Sequence, residues 1–193
     1  MINRPSPSWT RRATVLGLGA AALAACTTSP TNAPSRREAI DRRVDQALAE
    51  LFAEVPGAAD LAQQAEGILI IPRIATAGLI VGGAYGEGAL MVGPQRARVA
   101  YYALSAASLG FQAGAAEFNQ TLFFMTPAAL QAFRLSDGWQ LGATAQIIVD
   151  QEGAAAGITT TRLNRPIIEV IYGQRGLLAG ASLEGALYNR IAA

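Results

Sequence analysis

The sequence contains no histidine, and all fifteen of its basic residues are arginine, so lysine is absent as well. These absences remove the imidazole used for general acid–base chemistry and zinc ligation, and the amine needed for a Schiff base. A single cysteine, Cys26, leaves no disulfide framework, CxxC redox pair or thiolate cage to build. Ser182 and Glu184 near Tyr172 have no His or Lys with which to complete a nucleophile–base pair. The turn Asp150-Gln151-Glu152-Gly153 offers at best a faint cation site. Charge of one sign is also missing: 15 Arg against 14 acids in 193 residues gives +1, without the basic excess of a nucleic-acid surface. The expectation is a protein that is not an enzyme and has no metal, cofactor or nucleic-acid partner.

What the chain has in quantity is small apolar residues. Hydrophobic residues make up 51% of it and Gly contributes 20 positions, a composition unlike that of disordered chains. The length suits one domain large enough to bury a core.

Residues 1–25 read as a signal peptide. Arg4, Arg11 and Arg12 precede an uncharged run from Ala13 to Ala25, which is shorter than the roughly 20 residues a membrane-spanning helix needs. The run ends in Leu23-Ala24-Ala25-Cys26, which resembles a bacterial lipobox, in which the cysteine is acylated and becomes the new N-terminus. The alternative is an ordinary signal with an incidental Cys. Thr10-Arg11-Arg12 also resembles a twin-arginine export signal, and consecutive Arg occur in ordinary signals too. Removal of residues 1–25 leaves 12 Arg against 14 acids, a net of −2. Thr27 after the Cys favours the outer membrane by the sorting rule for enteric lipoproteins. Residues 26–34 then read as the lipidated Cys and a flexible tether, holding the domain at 35–193 near the membrane.

Ser35 with Glu38 three residues on has capping-box spacing. Ile40, Val44, Leu48, Leu51, Phe52 and Val55 recur at helical intervals, and Pro56-Gly57 stops the pattern, giving an amphipathic helix over 35–55. Its polar side carries Arg36, Arg37, Arg42 and Arg43 among Asp41, Asp45, Glu50 and Glu54. Either the stripe packs on the domain and the charges are solvated, or the helix lies in a bilayer surface with Arg on anionic headgroups.

From Gly57 onward short apolar runs alternate with turn signals. A short helix is expected over Ala58–Ala65 and another over Pro127–Leu135. Strands are expected at Gly67–Ile71, Ala77–Tyr85, Gly88–Val92, Arg98–Ser105 and Ser108–Ala115. Further strands are expected at Thr121–Met125, Ala143–Val149, Ala155–Thr161, Ile167–Tyr172 and Gly176–Ser182. The connections are mostly too short for parallel crossovers, so the fold class is α+β with a mostly antiparallel, Gly-rich twisted sheet. Pro72 reads as a strand terminator. Gly82-Gly83-Ala84-Tyr85-Gly86-Glu87-Gly88 lacks the Lys-Ser/Thr of a P-loop and reads as a tight hairpin with left-handed glycines. The charge-free run Val99–Ala116 reads as buried sheet rather than a membrane span. Asn119-Gln120-Thr121 fits a glycosylation sequon, a pattern common by chance.

Taken in order, four motifs resemble the SYLF-domain family. They are the Glu66–Pro72 strand, Ala77-Gly78 leading into Gly82–Gly88, Ser108-Leu109-Gly110-Phe111-Gln112-Ala113-Gly114, and Tyr172 with Arg175 through Gly185. The likeness spans roughly residues 58–190, and the export signal resembles that of the family's bacterial lipoprotein branch. The resemblance implies lipid binding. Eukaryotic members bind phosphoinositides through an amphipathic helix and basic residues, and a fungal branch binds actin, a label not carried over as a role here. The implied partner is an anionic membrane lipid such as phosphatidylglycerol or cardiolipin. Cys26 would carry the acyl chains, Ile40, Val44, Leu48, Leu51 and Phe52 would insert shallowly, and Arg36, Arg37, Arg42 and Arg43 would contact phosphates, helped by Arg73 or Arg175. The rival expectation is an interaction lipoprotein that binds an envelope protein, with the helix stripe packed on the sheet. Either way the expected location is the bacterial cell envelope, lipid-anchored at the outer membrane and facing the periplasm.

Overall fold

The computed structural model describes residues 35–78, 81–109, 114–140, 145–149, 165–178 and 185–193. The signal, Cys26, the tether, Asp150–Gly153, the expected strand at Ala155–Thr161, and Ser182 with Glu184 lie outside them. Among the described residues there are three helices and eight strands: α1 (Arg36–Glu54), α2 (Ala58–Gln64), β1 (Gly67–Gly78), β2 (Val81–Val92), β3 (Ala97–Leu109), β4 (Gly114–Phe124), α3 (Pro127–Leu135), β5 (Trp139–Gln140), β6 (Ala145–Val149), β7 (Ile167–Leu178) and β8 (Leu187–Ile191).

The capping box forms as the spacing predicts. Ser35 Oγ accepts from the Glu38 N–H at 3.2 Å, and Glu38 Oε2 accepts from the Ser35 N–H at 2.9 Å. In α3 the Thr126 side chain caps Ala129 and Pro127 occupies the first turn, where its missing N–H costs nothing. No described helix is long and apolar enough to cross a membrane.

All strand pairs are antiparallel except β6 with β7, and the sheet runs β5-β8-β3-β2-β1-β4-β7-β6. The two edges, β5 and β6, are separated in sequence by only residues 141–144. Eight flat strands would hold their edges about 34 Å apart at roughly 4.8 Å per strand. Five Cα steps reach at most about 19 Å. The sheet must therefore curl, and it has two apolar faces.

On one face, Ile40, Val44, Ala47 and Leu51 of α1 pack with Ile68, Ile70, Phe123, Ile168 and Val170. On the other, Leu69, Leu90, Leu122 and Phe124 meet Leu130 and Phe133 of α3. Phe133 is the centre of an aromatic group, with Tyr102 at 4.6 Å, Phe124 at 4.9 Å and Trp139 at 5.1 Å between ring centroids. The charge-free run around residues 100–104 is buried in this sheet.

Strand boundaries depart from the sequence reading where irregularities are absorbed instead of ending a strand. Pro72 does not terminate β1. Pairing with both neighbours resumes at Ile74 or Ala75 after a bulge at Pro72-Arg73, the position in a sheet where proline is tolerated. The glycines of Gly82–Gly88 are not a hairpin turn but lie inside β2. A Cβ on Gly88 would stand 1.8 Å from the Ile70 carbonyl oxygen, so glycine is there for close strand approach. Likewise β7 continues through Gly173 and Gly176, at φ of 63° and 99°, where two strands were expected.

Candidate functional site

The irregularities of three neighbouring strands coincide. The β1 bulge places Arg73 at a φ of 53°, a conformation uncommon for a side chain that lacks a short polar group. The β4–β7 pairing slips between Glu117 and Asn119, opposite Gly173. Together with one side of α1 these breaks enclose a cavity of about 170 Å³, lined by Arg43, Gln46, Ala47, Glu50, Pro72, Arg73, Glu117, Asn119, Gly173 and Arg175. Bulges re-aim side chains, and here they turn Arg73 and Arg175 toward the same opening as Arg43 of the helix.

Asn119 organises the floor. Its Oδ1 accepts from the Arg73 backbone N–H at 2.9 Å, and its Nδ2 donates to Glu50 Oε2 at 2.8 Å. Buried to 5% exposure with both ends of its amide engaged, Asn119 is not open to glycosylation. Arg73 Nε donates to Glu117 Oε1 at 3.1 Å, and Arg175 Nη2 stands 3.4 Å from Glu50 Oε1. Both arginine side chains remain well exposed, at 59% and 69%. These are exposed pairs of small net value that a ligand can compete for. Beneath the helix, Tyr172 donates its hydroxyl to the Ala47 carbonyl at 2.9 Å, and burial holds that phenol far above its ordinary pKa.

A second cluster borders the cleft. Arg36 Nη2 and the Tyr85 hydroxyl each reach Glu87 Oε1 at 2.6 Å, and Arg43 Nη2 lies 4.0 Å from Glu87 Oε2. The hydrogen bond from Arg36 lowers the Glu87 pKa, against the upward pull of partial burial. The same carboxylate raises the Tyr85 pKa, chiefly by accepting its hydrogen bond.

The residues expected to meet a membrane divide. Ile40, Val44 and Leu51 are fully buried against the sheet and Leu48 packs at the edge of the same core, the packed one of the two arrangements expected for this helix. The reason is the sheet's own apolar face, which the stripe matches at once. Phe52 alone of the five is exposed, at 37%, with Arg96 stacked 5.2 Å over its ring. Arg36 and Arg43 lie along the cleft side of α1. Arg37 instead stacks 5.2 Å over the Tyr101 ring on the opposite flank, beside the Arg98–Asp41 and Arg98–Asp45 pairs, and Arg42 points away from the sheet. At 3.6 residues per turn, positions 37 and 42 cannot share a face with 36 and 43. The four arginines are therefore not one patch. The structure brings together Arg43, Arg73 and Arg175.

Glu50, Glu117, Asn119 and Gly173 escaped the sequence reading as site residues. The one available signal was Pro72-Arg73 inside an otherwise apolar strand, with Gly173 and Gly176 inside another. No curated protein matches the chain. The family described as "Ysc84: Las17-binding protein actin regulator" matches residues 105–191, just under half of the chain. The matched stretch includes Glu117, Asn119, Gly173 and Arg175, while the helix and β1 walls of the cleft precede it.

Proposed function

Residues 105–191 are SYLF sequence of the Ysc84 type, and from that premise we propose that this chain is a membrane-anchored envelope lipoprotein whose domain binds phospholipid headgroups. One observation carries the reading: Arg43, Arg73 and Arg175, drawn from a helix and two strands, converge on one polar cavity. Arginine matches phosphate oxygens with several fixed donors, and the exposed guanidinium groups leave most of those donors for a ligand. Phe52 and Arg42 on the outer side of α1 supply an apolar and a cationic contact to the surrounding surface. Acyl chains on Cys26 would hold the domain at that surface, where the exposed Arg42 favours anionic lipid, while the cleft arginines require a headgroup phosphate. The matched family's name refers to actin regulation, which in an envelope lipoprotein has no counterpart. Binding without catalysis agrees with the lack of His and Lys.

A second reading is favoured by the burial of Ile40, Val44 and Leu51, since a packed stripe is what an interaction lipoprotein with a protein partner requires. Vesicle co-sedimentation of residues 35–193 separates the two. The lipid reading expects salt-sensitive binding to anionic vesicles, lost in the Arg73→Glu/Arg175→Glu double variant. Absence of binding to every vesicle leaves Cys26 as the sole membrane link and moves the function to a protein partner.

A further inference from the structure

The cleft is not the all-cationic pocket that a simple anion would favour. Its three arginines share the cavity with Glu50 and Glu117, a net of +1 over five charged side chains. Glu50 is tethered at the cleft. Its Oε2 is held by Asn119 Nδ2 at 2.8 Å, and Asn119 is itself fixed by the Arg73 N–H at 2.9 Å. Among the described residues the remaining oxygen, Oε1, has only the long 3.4 Å contact with Arg175. Glu117 meets Arg73 through one oxygen, at 3.1 Å. Two carboxylates thus stand in the cavity with acceptor capacity in hand, while Arg73 and Arg175 extend to its mouth with donors in hand. A bare phosphate would satisfy the guanidinium groups and be repelled by the carboxylates.

Resting on the lipid-headgroup reading above, we propose that this cleft takes a phosphate and a primary ammonium together, the phosphoethanolamine class, whether esterified in a lipid or free. The phosphate bridges Arg73 and Arg175 at the mouth, and the ammonium sits inward on Glu50 and Glu117. A volume of about 170 Å³ holds such a headgroup and leaves no room for acyl chains, which stay outside. An ammonium brings three N–H donors to the carboxylates, whereas a trimethylammonium brings none and a glycerol brings no charge. Converging strand breaks at Arg73 and Gly173 keep the walls apart, since a Cβ on Gly173 would stand 2.8 Å from Asn119 Nδ2.

The test is a titration of the full chain, followed through its backbone amide resonances, with glycerophosphoethanolamine, glycerophosphocholine, glycerophosphoglycerol and inorganic phosphate. Flotation with anionic phosphatidylglycerol–phosphatidylcholine vesicles, with and without phosphatidylethanolamine, runs in parallel. The expected result is about tenfold tighter binding of glycerophosphoethanolamine than of the other three, since one charge-assisted contact is worth about that factor. Shifts should centre on Arg73 and Asn119. Glu117→Gln, at a part-exposed site, should bring the preference to within about twofold without lowering the unfolding midpoint. Equal binding of glycerophosphoglycerol, or tighter anion binding with no loss of amine binding in Glu117→Gln, overturns the proposal and leaves the lipid reading standing. Flotation without any soluble-headgroup shifts at the cleft overturns it in the same way. Amine-dependent shifts without flotation uphold the cleft's chemistry for a free ligand and defeat the lipid reading instead.

Discussion

At the scale of single residues, the cleft depends on one position that tolerates no ordinary substitution. Gly173 has a φ of 63°, and a Cβ there would press on the Asn119 amide that holds Glu50. Gly173→Ala should cost roughly 1–3 kcal/mol in denaturant unfolding and weaken headgroup binding with it. A different residue reports on the opposite face of the sheet. Glu169 is fully buried, takes the Gln120 amide on Oε1, and has no partner for Oε2 among the described residues. Tyr188 donates to Gln120 Oε1 at 2.9 Å, completing a polar chain inside an apolar layer. Burial raises the Glu169 pKa, so the folded state holds its proton to higher pH than the unfolded chain does. Any stability this contributes is present below the unfolded value and is lost as pH rises through the folded one. Glu169→Gln, which keeps the Gln120 contact, should remove that downward slope and leave the variant more stable than the parent at neutral pH, as read from unfolding midpoints across pH.

At the scale of elements, α1 decides between a core helix and an inserted one. Its buried stripe should respond as core: Leu51→Ala should cost roughly 2–5 kcal/mol, whereas Phe52→Ala, at the surface, should cost well under half of that. Equal, small losses at both positions would mean that the helix is not packed in solution. The helix is also tied down electrostatically by Arg36 on Glu87. Because that contact lowers the Glu87 pKa, its contribution is present above the unfolded value and lost as pH falls through the folded one. Glu87→Gln should therefore flatten the acid limb of the stability curve, and exchange of the α1 amides would show where the loosening occurs.

At the scale of the whole molecule, the arrangement that matters is a curled sheet covered on one face by α1 and on the other by α3, with the cleft where α1 meets the bulged strands. The proposed membrane attachment is a separate function, assigned to Cys26 in the sequence outside this unit. Cys26→Ser should move the protein from the membrane fraction to the soluble fraction while leaving headgroup titration of the cleft unaltered. Persistence in the membrane fraction would assign the attachment to the domain or to an uncleaved signal.

The helices were legible because their signals are local. Ser35 with Glu38, the 3.6-residue apolar spacing, and Thr126-Pro127 each determine structure within one or two turns. The α+β class, the antiparallel pairing and the buried status of the run around residues 100–104 followed from alternation and short connections. Arg43, Arg73 and Arg175 were visible as candidate cations. What tertiary structure alone decided is which partners lie across the strands. Whether Pro72 ends a strand or sits in a bulge depends on pairing with β2 and β4, and whether Gly88 turns or packs depends on the Ile70 carbonyl. The apolar stripe of α1 reads the same whether it faces a bilayer or a sheet, since burial of apolar area is not directional. Only the presence of Ile68, Phe123 and Val170 opposite it settles which surface it covers in this fold. Asn119, Glu50 and Glu117 come from a helix and a strand far apart in sequence, and no spacing rule could have joined them.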